Sequence, residues 1–345
     1  MIFLYLPKEI LSMNSPYELF KTFNKDIKKE YIELMKIYHP DLHYSSKIYV
    51  DVCTKINELY RKALEELNEG IRIEKNLVKL KGNDGKSYCM KYNICHTFEL
   101  GKMYIGNNAV MYIMEEEYEE MINNYIEKIQ SIKYANKCMK EEFNKYIPKI
   151  IKVLKIKSKS ILVIEKDEDL YLLRDILDFY KTIPSRHGAW ILNSLYNIEC
   201  FINFNNMNHN GITLDNYFIS PKNHSGALLG GWWYTTYKNE EMKGVCKEVY
   251  DVMSNSIKES RISNTTLDLE CIKLIGRIIL GDKTGIELAL NSNIPRELVL
   301  WLRGPCSNNP FKEYEDYNKV LDKAFGKRKF IEMKIENLYE NLGGM

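Results

Sequence analysis

The sequence has no Cys-x-x-Cys pair, no hydrophobic run long enough to span a bilayer, no excess of one charge, and no internal repeat or low-complexity tract. Each absence removes a class of function. The eight cysteines, Cys53, Cys89, Cys95, Cys138, Cys200, Cys246, Cys271 and Cys306, are spread too widely for their spacing to write a zinc knuckle or a disulfide framework. They predict reduced thiols and a cytoplasmic protein, in a host cytoplasm if a virus or mobile element carries the chain. The apolar run Ile2 to Leu6 is stopped by Pro7-Lys8-Glu9, too short for a signal-peptide core, so neither export nor a membrane partner is expected. With 49 basic against 47 acidic side chains the formal charge is only +2, which argues against nucleic acid as a partner. Asn208, His209 and His224 are not at metal-ligand spacing on any one element, and no metal or cofactor is expected.

What is present is the material of a globular protein. Of 345 residues 45% are apolar and 28% charged, enough for two or three units with a sizeable core in one of them. Ser15-Pro16-Tyr17-Glu18 is a helix start: Ser15 caps, Pro16 takes the first position and Glu18 completes a capping box. This helix is predicted to end near Phe23-Asn24. Over 26–38, Ile27, Tyr31, Leu34 and Tyr38 recur at helical spacing, and Pro40 must stop the helix. Ser45 is expected to cap a second long helix whose inner face carries Val52, Ile56, Leu59, Tyr60, Ala63 and Leu67, with Gly70 as its end. Two such helices joined by a short connection predict an antiparallel hairpin.

That connection holds His39-Pro40-Asp41. In this setting, with Lys36-Ile37-Tyr38 before it and Ile56 to Ala63 after it, residues 13–69 resemble the J-domain family. The resemblance implies docking on a DnaK-type chaperone and stimulation of its ATPase. The residue chemistry is compatible. Lys29 and Lys36, extended backward by Lys25, form a basic strip on the first long helix, beside an acidic strip of Asp26, Glu30 and Glu33. Such a strip steers onto an acidic partner, and a carboxylate at a loop tip accepts a bidentate pair from a partner arginine.

Residues 71–86 are charged and close on the turn Asn83-Asp84-Gly85, which reads as a linker. Beyond it, 88–114 alternates and is rich in Tyr, Val and Ile, predicting antiparallel strands with turns at Gly101, Gly106 and Asn107-Asn108. A helix follows over 115–136, a buried strand over 160–165, and mainly helices from 169 onward, interrupted at 208–240.

The order of small sheet, helix, strand and helical region resembles a protein kinase over 85–330. His209-Asn210-Gly211-Ile212-Thr213-Leu214-Asp215-Asn216 aligns without gaps on the catalytic-loop pattern H-R-D-L-x-x-x-N. Leu274-Ile275-Gly276 resembles the core helix of the large lobe. The chemistry is missing from the pattern. Gly211 replaces the base, and Leu228-Leu229-Gly230-Gly231-Trp232-Trp233-Tyr234 stands where D-F-G belongs. The strand 109–114 matches V-A-I-K only in hydrophobicity, with no lysine until Lys128, and the glycine pair Gly101 and Gly106 stands where a Gly-rich loop is expected.

The expected architecture is multi-domain and mainly α with a small antiparallel sheet (α+β): a three-helix J domain at 1–70, a linker at 71–86, a kinase-like small lobe and hinge at 87–184, and a helical large lobe at 185–345. The expected function is that of a co-chaperone adaptor whose pseudokinase body, retaining only His209 and Asn216 of the loop pattern, binds a client protein. Trp232, Trp233 and Tyr234 are either an exposed partner-binding loop or rings that fill a vacated cleft. The rival is an atypical ATP-dependent transferase using Asp215 or Glu165.

Overall fold

The computed structural model describes residues 5–21, 27–83, 85–327 and 329–342. It is mixed helix and sheet, and the sheets whose pairing is resolved are antiparallel. The chain divides into two units, residues 1–93 with 154–161, and 94–153 with 162–345.

The first unit opens with helix α1 (Pro7–Ser12), which has Pro7 at its first position and the Glu9 carboxylate accepting from Leu6 N–H at 2.7 Å. The sequence reading did not anticipate it. Helix α2 (Pro16–Leu19) starts as expected: Tyr17 N–H donates to Ser15 Oγ, and Ser15 N–H donates to Glu18 Oε1 at 3.1 Å. It stops at Leu19, and Phe23 and Asn24 lie outside the described residues. Helices α3 (Ile27–Tyr38) and α4 (Lys47–Glu69) are the expected long pair. They bury Ile27, Leu34 and Tyr38 against Val52, Ile56, Leu59 and Ala63, with Ile10, Leu19 and Phe20 closing the same core.

The cap of α4 is Ser46 and not Ser45. Tyr44 and Ser45 both have positive φ, so the connection is still turning at 45, and Ser46 is the first residue extended enough to enter a helix. Gly70 ends α4 at φ 71°, a left-handed geometry that glycine adopts without strain.

The segment expected as a linker is folded. Strands β1 (Ile71–Glu74), β2 (Leu77–Lys81) and β3 (Ser87–Lys91) form an antiparallel meander, in register from Ile71↔Leu80 and Leu77↔Lys91. Its charges are the outward half of a period-two pattern whose inward half is Ile71, Val78 and Leu80. Arg72 lies over the Tyr17 ring at 4.5 Å and pairs with Glu74 at 2.7 Å, while the Tyr17 hydroxyl donates to Glu66. Residues 87–93 therefore belong to the first unit, and the boundary falls at 93/94.

The second unit begins with strands β4 (Ile94–Phe98), β5 (Gly101–Ile105) and β6 (Ala109–Glu115), followed by α5 (Glu119–Gln130), α6 (Lys137–Phe143) and the hairpin β7 (Ile150–Ile156) and β8 (Lys159–Glu165), whose tip, 154–161, is counted with the first unit. One five-stranded sheet results, ordered β4-β5-β6-β8-β7. Gly101 and Gly106 sit at opposite ends of β5 in two different turns and form no single loop.

Then come β9 (Tyr171–Leu172), α7 (Leu173–Tyr180), α8 (Ser185–Phe204), β10 (Met207–Asn208), β11 (Tyr217–Ser220), β12 (Ser225–Leu228) and β13 (Thr236–Tyr237). Helices α9 (Lys247–Val252), α10 (Asn255–Ser260), α11 (Thr265–Ile279), α12 (Arg296–Arg303), α13 (Pro310–Phe325) and α14 (Leu338–Asn341) complete the unit. Helix α11 is buried on nearly every side. At Gly276 a Cβ would come within 2.5 Å of Leu302 and 2.8 Å of Leu192, so glycine sets how closely α11 approaches α8 and α12. Among the described residues no helix is long and apolar enough to cross a membrane.

Candidate functional sites

The first site is the connection between α3 and α4. His39 is extended and caps a 3-10 turn, Pro40–His43, accepting at Nδ1 from Asp41 N–H at 3.3 Å. The turn is held from below: His43 Nε2 bonds Ile37 O at 2.8 Å, its ring stacks on Tyr49, and Ser45 N–H donates to Pro40 O. The functional atoms face outward, with side-chain exposures of 46% for His39 and 80% for Asp41. Leu42 and Tyr44 beside them are exposed too. A short acidic tip on a braced turn loses little entropy when a partner engages it. Lys29 and Lys36 are exposed, lie seven positions apart on one side of α3, and are in no ion pair among the described residues. Lys25 and Asp26 lie outside the described residues.

The second site is the stretch from β10 to β13. Asp268, in the first turn of α11, accepts His209 N–H at 2.7 Å and Asn210 N–H at 2.8 Å. Asn210, at φ 57°, donates from its side chain to Tyr234 O and Thr236 Oγ1. Asn216 Nδ2 donates to Gly211 O at 2.9 Å and Thr213 Oγ1 at 3.1 Å, and its own carbonyl accepts Leu229 N–H and Gly230 N–H. The loop is thus cross-tied at almost every residue.

Its groups are also sealed. The His209 imidazole is buried edge-on to Trp232, and burial pushes its pKa down to about 3. Burial raises Asp268 to about 7 against the pull of its two amide bonds. Glu199 on α8, fully buried near Asp268, is raised well above the ordinary glutamate value.

Of the sequence candidates, the structure brings His209, Gly211 and Asn216 together. A Cβ on Gly211 would sit 2.9 Å from Gly231 O and 3.1 Å from the Tyr234 ring, while one on Gly231, at φ 80°, would sit 2.7 Å from Gly211 O. The two glycines are a backbone-to-backbone contact, which leaves no room for a side chain at position 211. The exposed-loop reading of Trp232, Trp233 and Tyr234 is overturned, because they are 1%, 2% and 5% exposed. Trp233 lies in a cluster with Phe98, Tyr112 and Tyr125, and Trp232 Nε1 donates to Leu228 O at 2.8 Å. Rings of this size gain more from a dry aromatic cluster than from solvent.

A cavity of about 360 Å³ opens beside Asn216 and Thr213. Glu99, Asp178, Asp215 and Glu248 line it, and Arg174 is the one lysine or arginine among its lining residues. That guanidinium is already spent in a bidentate pair with Asp215, at 2.9 and 2.7 Å. His96, also in the wall, faces the buried Asp175 at 2.9 Å, and the hydrogen bond and charge of Asp175 outweigh burial to raise its pKa. Lys128 is directed elsewhere, over the Tyr237 ring and near Glu127 and Glu240. Glu165 is half-exposed and pairs with Lys149.

Sequence reasoning missed Asp268, Glu199, Arg174 and the His96–Asp175 pair. The signal for the first two was an acid inside a segment otherwise apolar all round, Leu267-Asp268-Leu269 and Ile198-Glu199-Cys200, since a carboxylate buried there needs a dedicated partner or must stay protonated. Comparison with protein-family models and with curated proteins finds no match to this chain.

Proposed function

We propose that the protein is a co-chaperone adaptor: a J-domain-like unit that recruits a DnaK-type chaperone and stimulates its ATPase, joined to a kinase-like body that serves as a non-catalytic scaffold for a client protein. The observation that carries the first half is the outward-facing Asp41 carboxylate on a turn braced between two packed helices. A charge-assisted bidentate bond to a partner arginine is worth about 2–3 kcal/mol. Asp41→Asn keeps the shape and removes the charge, and it is expected to lower stimulation of chaperone ATP turnover by more than about tenfold. Stimulation equal to that of the parent would sink the assignment.

The second half is supported by the lining of the cavity. Four carboxylates against one committed guanidinium make a poor seat for a polyphosphate, which phosphoryl-transfer sites surround with cations and metal. The rival reading, an atypical ATP-dependent transferase regulated by the J-like unit, rests on the existence of that cavity. Magnesium-dependent ATP binding with turnover by the full chain would promote it over the scaffold.

A further inference from the structure

A second cavity, of about 310 Å³, lies in the helical part of the second unit, between α8, the end of α13 and the segment after it. It is independent of the adaptor reading and differs from the acid-lined cavity in the sign of its charge. Among the described residues its cations are Arg186, Lys327 and Lys329, and no carboxylate lines it. Among the described residues none of the three is in an ion pair. Three cations around one small volume repel each other until an anion joins them.

The wall is aromatic and already ordered. Trp190 and His224 stack at 4.6 Å with ring planes 6° apart, and His224 stacks on Phe330 at 4.1 Å and 19°. Phe330 is nevertheless 66% exposed, an unusual amount of apolar ring for a residue held in a stack. One donor is also left over. Trp190 Nε1–H donates to His187 Nδ1 at 3.3 Å, which fixes the proton of the neutral ring on Nε2. His187 is 6% exposed, lines the cavity, and makes no hydrogen bond through Nε2 among the described residues. Burial lowers the pKa of both His187 and His224, so at neutral pH they contribute a face and a donor and leave the charge to Arg186, Lys327 and Lys329.

We propose that this cavity binds a small planar anion, an aromatic ring carrying a phosphate or carboxylate, with the ring against the Trp190–His224–Phe330 column and the anionic group among Arg186, Lys327 and Lys329 beside His187 Nε2–H. The volume is at the low end for small-molecule sites. An arginine among the cations favours a planar or tetrahedral oxyanion over a diffuse charge.

The test uses the full chain and ligand-observed saturation-transfer NMR. AMP and phenyl phosphate report the phosphate arm, and indole-3-acetate the carboxylate arm. Adenosine and inorganic phosphate are the isolated halves. At least one ring-plus-anion probe is expected to bind with a Kd about tenfold or more below both halves, and the better arm names the anionic group. The double variant R186E/K329E is expected to weaken that probe by more than about tenfold. Phe330→Ala should weaken it several-fold, and Asp178→Asn in the acid-lined cavity should leave it unchanged. Arg186, Lys329 and Phe330 are exposed, so these variants keep the fold, and a matching thermal midpoint verifies it. Absence of saturable binding, binding that survives R186E/K329E, or binding that follows Asp178→Asn would each overturn the proposal. Preferential capture of an acidic aromatic peptide over the free anions would overturn the small-ligand assignment.

Discussion

The two loops that sequence motifs single out have opposite economies of hydrogen bonding. Around His39-Pro40-Asp41 the backbone is braced from beneath by His43 and Ser45, and the side chains that matter point into solvent with no rigid partner. Around His209 to Asn216 the amides of His209 and Asn210 are tied to Asp268, and the side-chain amides of Asn210 and Asn216 to Tyr234, Thr236 and Gly211, while the His209 ring is buried under tryptophan. The outer turn leaves its Asp41 carboxylate largely to solvent. A loop tied at its amides and sealed under aromatic rings is part of the core.

Stability measurements can break this contrast. The largest effect is expected for Gly211→Asp, the substitution that restores the kinase pattern: it forces a Cβ into the Gly231 backbone and buries a carboxylate, for a cost of about 4–5 kcal/mol. Denaturant titration should show that loss with no gain of ATP turnover, and a variant as stable as the parent would mean that the inner loop is open after all. Trp233→Ala removes the ring at the centre of the Phe98, Tyr112 and Tyr125 cluster and should cost about 3–4 kcal/mol. An unchanged midpoint would return this residue to the surface.

Glu199 sharpens the comparison through pH. Its folded pKa is raised by burial and by Asp268, far above its unfolded value, so above about pH 4.5 the unfolded chain releases a proton that the native state keeps. Stability attributable to this group is full below that value and is lost as pH rises toward the folded pKa, by up to about 1.4 kcal/mol per pH unit. Glu199→Gln removes this slope, and urea midpoints between pH 5 and 8 should fall less steeply in the variant. A steeper or equal fall would show that Glu199 is ionised in the fold. The smallest effect belongs to the outer loop. Asp41→Asn should leave the unfolding free energy within about 0.5 kcal/mol of the parent while lowering chaperone stimulation by more than about tenfold, and a large loss of stability would show that Asp41 holds the turn together.

How much was legible in the sequence follows the range of the interactions. Helices α3 and α4, the stop at Pro40 and the end at Gly70 are local properties, and the structure has them where periodicity and punctuation put them, except that Leu67, expected on the inner face of α4, is exposed. The cap slipped by one residue because Ser45 and Ser46 are equivalent in sequence and differ only in φ. The meander is hard to read from the sequence because the alternation of Ile71, Ile73, Val78 and Leu80 is a weak signal among charged residues over strands of four and five residues. Near the inner loop, the alignment of His209, Gly211 and Asn216 was visible. The tie from Asp268 was not, being fifty-eight and fifty-nine residues distant in sequence from the amides it holds.

The sequence by itself determined that a helical hairpin presents a His-Pro-Asp turn, because proline, glycine and a 3.6-residue period act on their own neighbours. It also determined that position 211 and the stretch Leu228 to Tyr234 carry no carboxylate, since that is a matter of which side chains exist. Only the tertiary structure decided that two adjacent tryptophans are core and not surface, that two glycines meet backbone to backbone, and that one cavity gathered carboxylates while another gathered cations. Those outcomes depend on residues far apart in the chain competing for the same space and the same hydrogen bonds, and a one-dimensional reading has no measure of that competition.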